Sequence, residues 1–112
     1  MRRDELYLRD VVEAAGSIAA DIAGMERDDF LANRTVRDAV VRNLIVIGEA
    51  CGRVSEDLRG RHPEIPWPDI VAFRNILVHA YFGIDWDIVW HAASRQVPDL
   101  ASRIARIVET EF

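Results

Sequence analysis

The segment Arg74-Asn75-Ile76-Leu77-Val78-His79-Ala80-Tyr81 sets a guanidinium, an amide, an imidazole and a phenol within eight residues. A guanidinium grips phosphate through paired N–H donors and steadies charge that develops on it. An imidazole, with an ordinary pKa of about 6.5, gives or takes a proton near neutrality. An amide can orient a ligand or the imidazole, and a phenol offers a hydroxyl that can accept a modification. The set suits RNA cleavage without a metal. His79 would take the 2′-hydroxyl proton or protonate the leaving oxygen while Arg74 holds the phosphate. The same residues also suit plain structural roles, an ion-pair cation and an interface histidine. Spacing alone leaves both readings open.

The elements that must position these groups read as helices. Leu8, Val11, Val12, Ala15, Ile18, Ala19 and Ile22 recur at intervals of three and four, which predicts an amphipathic helix over residues 4–25. Gly24 and the charged run Glu26-Arg27-Asp28-Asp29 suggest its end and a turn. A second helix is expected from Thr35 to Leu58, capped by Asn33 or Thr35. Its Gly48 and Gly52 share a face, and each costs about 1 kcal/mol against alanine in a helix. Close approach of another helix would compensate, and a break near Gly52 is the alternative. Residues 60–68 hold prolines that a helix interior cannot take, so they form a loop. Pro68 suits the start of a third helix over 68–82, with Gly83 as its C-terminal cap. Asp85 can cap a fourth helix carrying Trp86, Val89 and Trp90, which Pro98 interrupts before a last stretch with Leu100, Ile104, Ile107 and Val108. No strand alternation or repeat is visible. An all-α, antiparallel bundle of four to five helices in one domain, residues 1–112, is therefore expected.

On a helical wheel with Arg74 at zero, Ile70, Phe73, Ile76 and Leu77 share an arc from about 200° to 320°, the expected core face. Tyr81, Arg74, Asn75 and His79 fall at about −20°, 0°, 100° and 140° on the other half. Apolar Val71, Val78 and Phe82 interrupt that half, so a neighbouring helix or a second subunit is expected to cover it. Arg74 and His79 point about 140° apart, too far for one helix to focus them easily. A two-fold dimer would set two arginines and two histidines around one cleft. On the second helix, Arg42 and Glu49 lie seven apart on one face. They are expected to form an ion pair, or else to line the groove.

Half of the 112 residues are hydrophobic, which supports a packed core. All 14 basic residues are arginines, so every cationic contact is a guanidinium and no lysine can serve as a base. The net charge of −5 argues against a broadly basic nucleic-acid binder, but not against one focused anion site. The lone Cys51 sits in an apolar run, as a buried thiol in a reducing cytoplasm would. No signal peptide or membrane span is read. One cysteine and scattered histidines (His62 in the loop, His91 beside Trp90) make no zinc set, and no glycine-rich phosphate loop is present. No metal or cofactor is expected. Trp67, Trp86 and Trp90 are expected as core and interface anchors.

Arg74, four residues, His79, one residue, Tyr81 resembles the signature of HepT-like HEPN-domain proteins. The run from Ala39 to Ala50 resembles that family's second helix, His62 to Trp67 its loop, and Asp85 to Trp90 the start of its fourth helix. These blocks extend over residues 30–100 in the family's order. The resemblance implies an all-α homodimer acting as the ribonuclease toxin of a type II toxin–antitoxin pair. Its partner would be a minimal nucleotidyltransferase antitoxin that silences it by moving AMP onto the signature tyrosine. Carried over by position, Arg74 and His79 are the catalytic pair and Tyr81 the modified residue. Asn75, Arg42 and Glu49 are read as supporting groove residues. The alternative is a non-catalytic helical dimer that binds nucleotide or regulates a partner nucleotidyltransferase.

Overall fold

The N-terminal apolar stripe forms α1 (Arg2–Asp21), burying Leu8, Val11, Ala15 and Ile18. The computed structural model describes residues 2–112, with side chains from Arg3 onward. Gly24, with φ of 75°, turns the chain out of α1, a conformation that costs a residue without a β-carbon little. A short α2 (Arg27–Ala32) then stands where the charge run predicts only a turn. The Asp29 carboxylate accepts from the Glu26 N–H at 2.9 Å, and Phe30 is buried against Trp86 and Trp90. Tertiary burial of one ring thus supplies what periodicity lacks.

Helix α3 (Arg34–Arg53) is the central element, packed against α1 on one side and α5 (Trp67–His79) on the other. Asn33 caps it, its side chain accepting from Val36 N–H at 3.0 Å. The helix stops at Val54 rather than running to Leu58. Asp4 of α1 accepts from the Ser55 N–H at 2.9 Å and from its hydroxyl at 2.6 Å. Ser55 in turn caps α4 (Glu56–Arg61) by accepting from Leu58 N–H. The buried carboxylate of a distant helix therefore fixes the break.

The third major helix ends earlier than Gly83. Ala80 leaves helical geometry, and Tyr81–Gly83 form a separate 3₁₀ turn. Gly83 has no positive φ and is not a left-handed cap. Asp85 caps α6 (Trp86–His91) as expected, accepting from Asp87 N–H at 3.0 Å. Pro98 does not break the C-terminal helix. A π-helical segment, Ala92–Gln96, links α6 to α7 (Val97–Glu111), with Val97 N–H donating to the Ala92 carbonyl. The wider turn takes up a proline that lacks an N–H and crowds the preceding carbonyl. Helix α7 packs on α1 through Ile104 and Ile107. The described residues hold no strand, and the chain is an all-α, HEPN-like bundle. Among them, no helix is long and apolar enough to cross a membrane.

Candidate active site

The crossing of α3 and α5 is set by a glycine. A β-carbon at Gly48 would collide with the Arg74 Cβ, lie 2.7 Å from its Cγ and 3.4 Å from the Ile70 carbonyl oxygen. The stem of Arg74 therefore lies on the bare backbone of α3, which is the close approach the paired glycines predict. At Gly52 the approach is looser: a β-carbon there would meet Val71 Cγ2 at 3.5 Å, an ordinary contact. These contacts pair the end of α3 with the start of α5. Tyr81, beyond the end of α5, reaches Asp38 near the start of α3, so the two helices run antiparallel.

Packing of the stem fixes where the guanidinium of Arg74 goes. Nη2 reaches Glu49 Oε2 at 2.9 Å and Nη1 donates to Asn75 Oδ1 at 2.9 Å. Nε is buried with no hydrogen-bond partner. The side chain is 28% exposed, enough for an edge of the fork to meet a ligand. Glu49 does not pair with Arg42, which stays exposed; the expected ion pair is absent. Its Oε1 instead accepts from Arg53 Nε and Nη2 at 3.1 and 3.0 Å. One carboxylate thus holds two guanidiniums, one from its own helix and one from α5. The trio keeps a net positive charge, and Arg42 lies two turns away on the same face of α3. Arg42 can still line the groove; Glu49 is taken by Arg53 one turn further along α3 and by Arg74 from the crossing helix.

His79 is the last residue of α5, exposed, with no hydrogen bond or ion pair to its side chain among the described residues. Exposed apolar groups flank it: Ile76 at 57%, Val78 at 41% and Phe82 at 102%. Ile76 was expected in the core, where Leu77 is the buried residue; α5 turns Ile76 outward instead. The apolar half-face is covered by α3 at Val71 but left open at Val78 and Phe82.

Tyr81 does not lie on the helix with Arg74, so the wheel does not place it. Its ring packs edge-on to Phe82 with centroids 5.7 Å apart, and its Oη donates to Asp38 Oδ1 at 2.7 Å. That hydrogen bond lifts the phenol pKa above its ordinary value, against a smaller opposing pull from Arg34 and Arg37. The structure therefore joins Arg74, Asn75, Glu49 and Arg53 in one network, sets Tyr81 with Asp38 in another, and leaves His79 unengaged among the described residues. Asp38 and Arg53 were not singled out from the sequence. The stripe Asp38, Arg42, Glu49, Arg53, spaced by four and seven, is the signal that marks them.

Other residues fall outside this site. Cys51 is fully buried, and burial pushes its thiol up to about 12. His91, beside Trp90, is exposed. Trp67 is a buried anchor whose indole N–H donates to the His62 carbonyl at 3.0 Å. A groove of about 720 Å³ runs between α5 and the α6–α7 helix over Phe73, Ile88 and Leu100. None of Arg74, His79 or Tyr81 lines it.

A family model described as ribonuclease HepT-like matches residues 7–107. A protein of Methanocaldococcus jannaschii, provisionally named an RNase, is 35% identical over 104 residues, 92% of this chain and 95% of the relative. A second protein of that organism with the same provisional designation is 34% identical over 109 residues, 96% of this chain and 90% of its own. A protein of Thermococcus cleftensis named a probable ribonuclease HepT is 35% identical over 101 residues, 90% of this chain and 92% of the relative. No solved structure matches the chain. The chain belongs to the HepT-like ribonuclease family.

Proposed function

We propose that this HepT-like chain is a metal-independent endoribonuclease, the toxin of a type II toxin–antitoxin pair, silenced when a minimal nucleotidyltransferase antitoxin transfers AMP to Tyr81. The observation that carries the reading is the pairing of a fixed cation with a free base on one helix. Arg74 is held by Gly48 and Glu49 with an edge open, and His79 stands exposed and unengaged at the end of the same helix. In the reaction, an RNA phosphate displaces Asn75 or Glu49 from part of the Arg74 fork. The 2′-oxygen attacks phosphorus, an imidazole takes its proton, and Arg74 steadies the charge on the phosphate. The leaving 5′-oxygen needs a proton as well. A second copy of His79, brought in by a two-fold axis, would divide the roles of base and acid. The exposed Ile76, Val78 and Phe82 around His79 supply an apolar surface for that homodimer.

Purified protein is incubated with RNA and EDTA beside a His79→Ala variant. Cleavage by the first and its loss in the second are expected. Equal cleavage by both, or none by either after phosphodiesterase treatment, contradicts the reading. One observation favours the second reading, a non-catalytic dimer that binds nucleotide or regulates a nucleotidyltransferase: Glu49 already occupies Arg74. Expression alone separates the two. The nuclease arrests growth and His79→Ala relieves it, whereas the binding module does neither.

A further inference from the structure

Tyr81 has features that its position in the sequence does not explain. The residue is 41% exposed, and the hydrogen bond from its hydroxyl lies at the surface. The same hydroxyl is held at 2.7 Å by a carboxylate from α3, 43 residues away in the chain. The other oxygen of that carboxylate lies 3.8 Å from Arg34 Nε, and the Arg34 side chain is 85% exposed. Arg37 lies over the Trp86 ring at 4.8 Å, and its charge also acts on the phenol. A reachable hydroxyl, a carboxylate accepting its hydrogen bond and an adjacent exposed guanidinium are the parts that a phosphoryl-type acceptor site needs.

We propose that Asp38 is the positioning residue and proton acceptor for nucleotide transfer to Tyr81, and that Arg34 receives the transferred phosphate. This rests on the reading that Tyr81 is the modified hydroxyl. In the transfer, Tyr81 Oη attacks the α-phosphorus of a nucleoside triphosphate held by the nucleotidyltransferase. The Oη–P bond forms, and the bond from that phosphorus to the bridging oxygen breaks. Pyrophosphate leaves with the electron pair, and the phenol proton passes to Asp38 Oδ1 and then to water. The product cannot keep the original contact. The ester oxygen has no proton to donate, and an anionic phosphodiester now faces the Asp38 carboxylate. Repulsion turns the nucleotide away from Asp38, and Arg34 follows the phosphate as its counter-ion. Asp38 therefore both prepares the hydroxyl and expels the product, which makes the modification a change of position as well as of charge.

The sign of one effect separates this role from simple tuning of acidity. Asp38 raises the phenol pKa, while Arg34 and Arg37, the other charged groups acting on it from α3, lower it. If only the amount of phenolate mattered, Asp38→Asn would speed transfer. If Asp38 accepts the proton, the same variant slows it. Wild type, Asp38→Asn, Asp38→Glu and Tyr81→Phe are each incubated with a purified minimal nucleotidyltransferase and magnesium ATP. AMP addition is followed by intact mass, and circular dichroism checks the fold. At neutral pH, Asp38→Asn is expected to react about a hundredfold more slowly, recovering as the pH nears the phenol range. Asp38→Glu should restore part of the rate. Difference absorbance against Tyr81→Phe should show phenol ionisation at lower pH in Asp38→Asn than in wild type. An Asp38→Asn rate equal to or above wild type, with Tyr81→Phe blank, overturns the role of Asp38 and leaves Tyr81 as the target. No adduct on wild type, or an adduct on Tyr81→Phe, overturns the reading beneath it and the proposal together.

Discussion

Replacing Gly48 by alanine tests whether the α3–α5 crossing sets Arg74. The new methyl would lie 2.7 Å from Arg74 Cγ, whereas relaxed carbon contacts need about 3.5 Å or more. The stem or the whole of α5 must therefore retreat by about 1 Å. The methyl would also lie 3.4 Å from the Ile70 carbonyl oxygen, backbone of the same helix as Arg74, so the shift opens the crossing. Overpacking costs about 1–3 kcal/mol, and exchanging glycine for alanine inside a helix returns about 1 kcal/mol. The net loss is about 0–2 kcal/mol, read as the shift in urea midpoint. Catalysis should suffer more, because a misplacement of about 1 Å can cost about a hundredfold in rate. Gly52→Ala is the control. Its methyl meets Val71 at an ordinary 3.5 Å, so it should be neutral or slightly stabilising and leave cleavage unchanged. Urea titration and RNA cleavage on the same samples read both effects. A Gly48→Ala protein as stable and as active as wild type would refute the claim that backbone contact at Gly48 places the guanidinium.

Asp4→Ala leaves the Ser55 N–H and hydroxyl without their buried acceptor and should cost about 1–3 kcal/mol in urea unfolding; a loss under about 0.5 kcal/mol contradicts the capping role. Arg61 and His62 hold the Glu111 carboxyl down at about 2 from 4.5. A depressed carboxyl stabilises above its unfolded value and loses that contribution as pH falls from 4.5 towards 2. The melting temperature should therefore fall more steeply across that window in wild type than in Glu111→Gln, and parallel curves would rule the pair out as a contributor. Phe82→Ser removes the fully exposed ring from the apolar surface beside His79 and should shift a dimer towards monomer in sedimentation, without lowering the unfolding midpoint of the monomer. An unchanged association constant would place the interface elsewhere.

The long helices were legible because each buries one apolar stripe, and period alone reveals a stripe. The short elements were not. Helix α2 depends on Phe30 entering a pocket between two tryptophans far along the chain, and the end of α3 on a carboxylate from α1. Pro98 reads as a stop by local rules, yet the π segment before it removes the conflict. The site shows the same division. Gly48 and Gly52 pointed to a close helix crossing, and at Gly48 the crossing lies against Arg74 itself. Which groups meet across it could not be read from one helix at a time. Glu49 takes Arg53 of its own helix and Arg74 from the crossing one rather than Arg42, and Tyr81 leaves the wheel to reach Asp38; the Arg74 and Tyr81 contacts belong to the α3–α5 pairing.

The most direct test of the Arg74–His79 chemistry is cleavage of an RNA oligomer beside its 2′-deoxy counterpart at the cleaved nucleotide. Both are incubated in EDTA with wild type, Arg74→Ala and His79→Ala, and the product ends are read by mass spectrometry. Cleavage of the RNA alone, 2′,3′-cyclic phosphate ends, and a rate lowered about a hundredfold or more in each variant are predicted. Cleavage of the 2′-deoxy oligomer, or an undiminished rate in His79→Ala, would contradict the account.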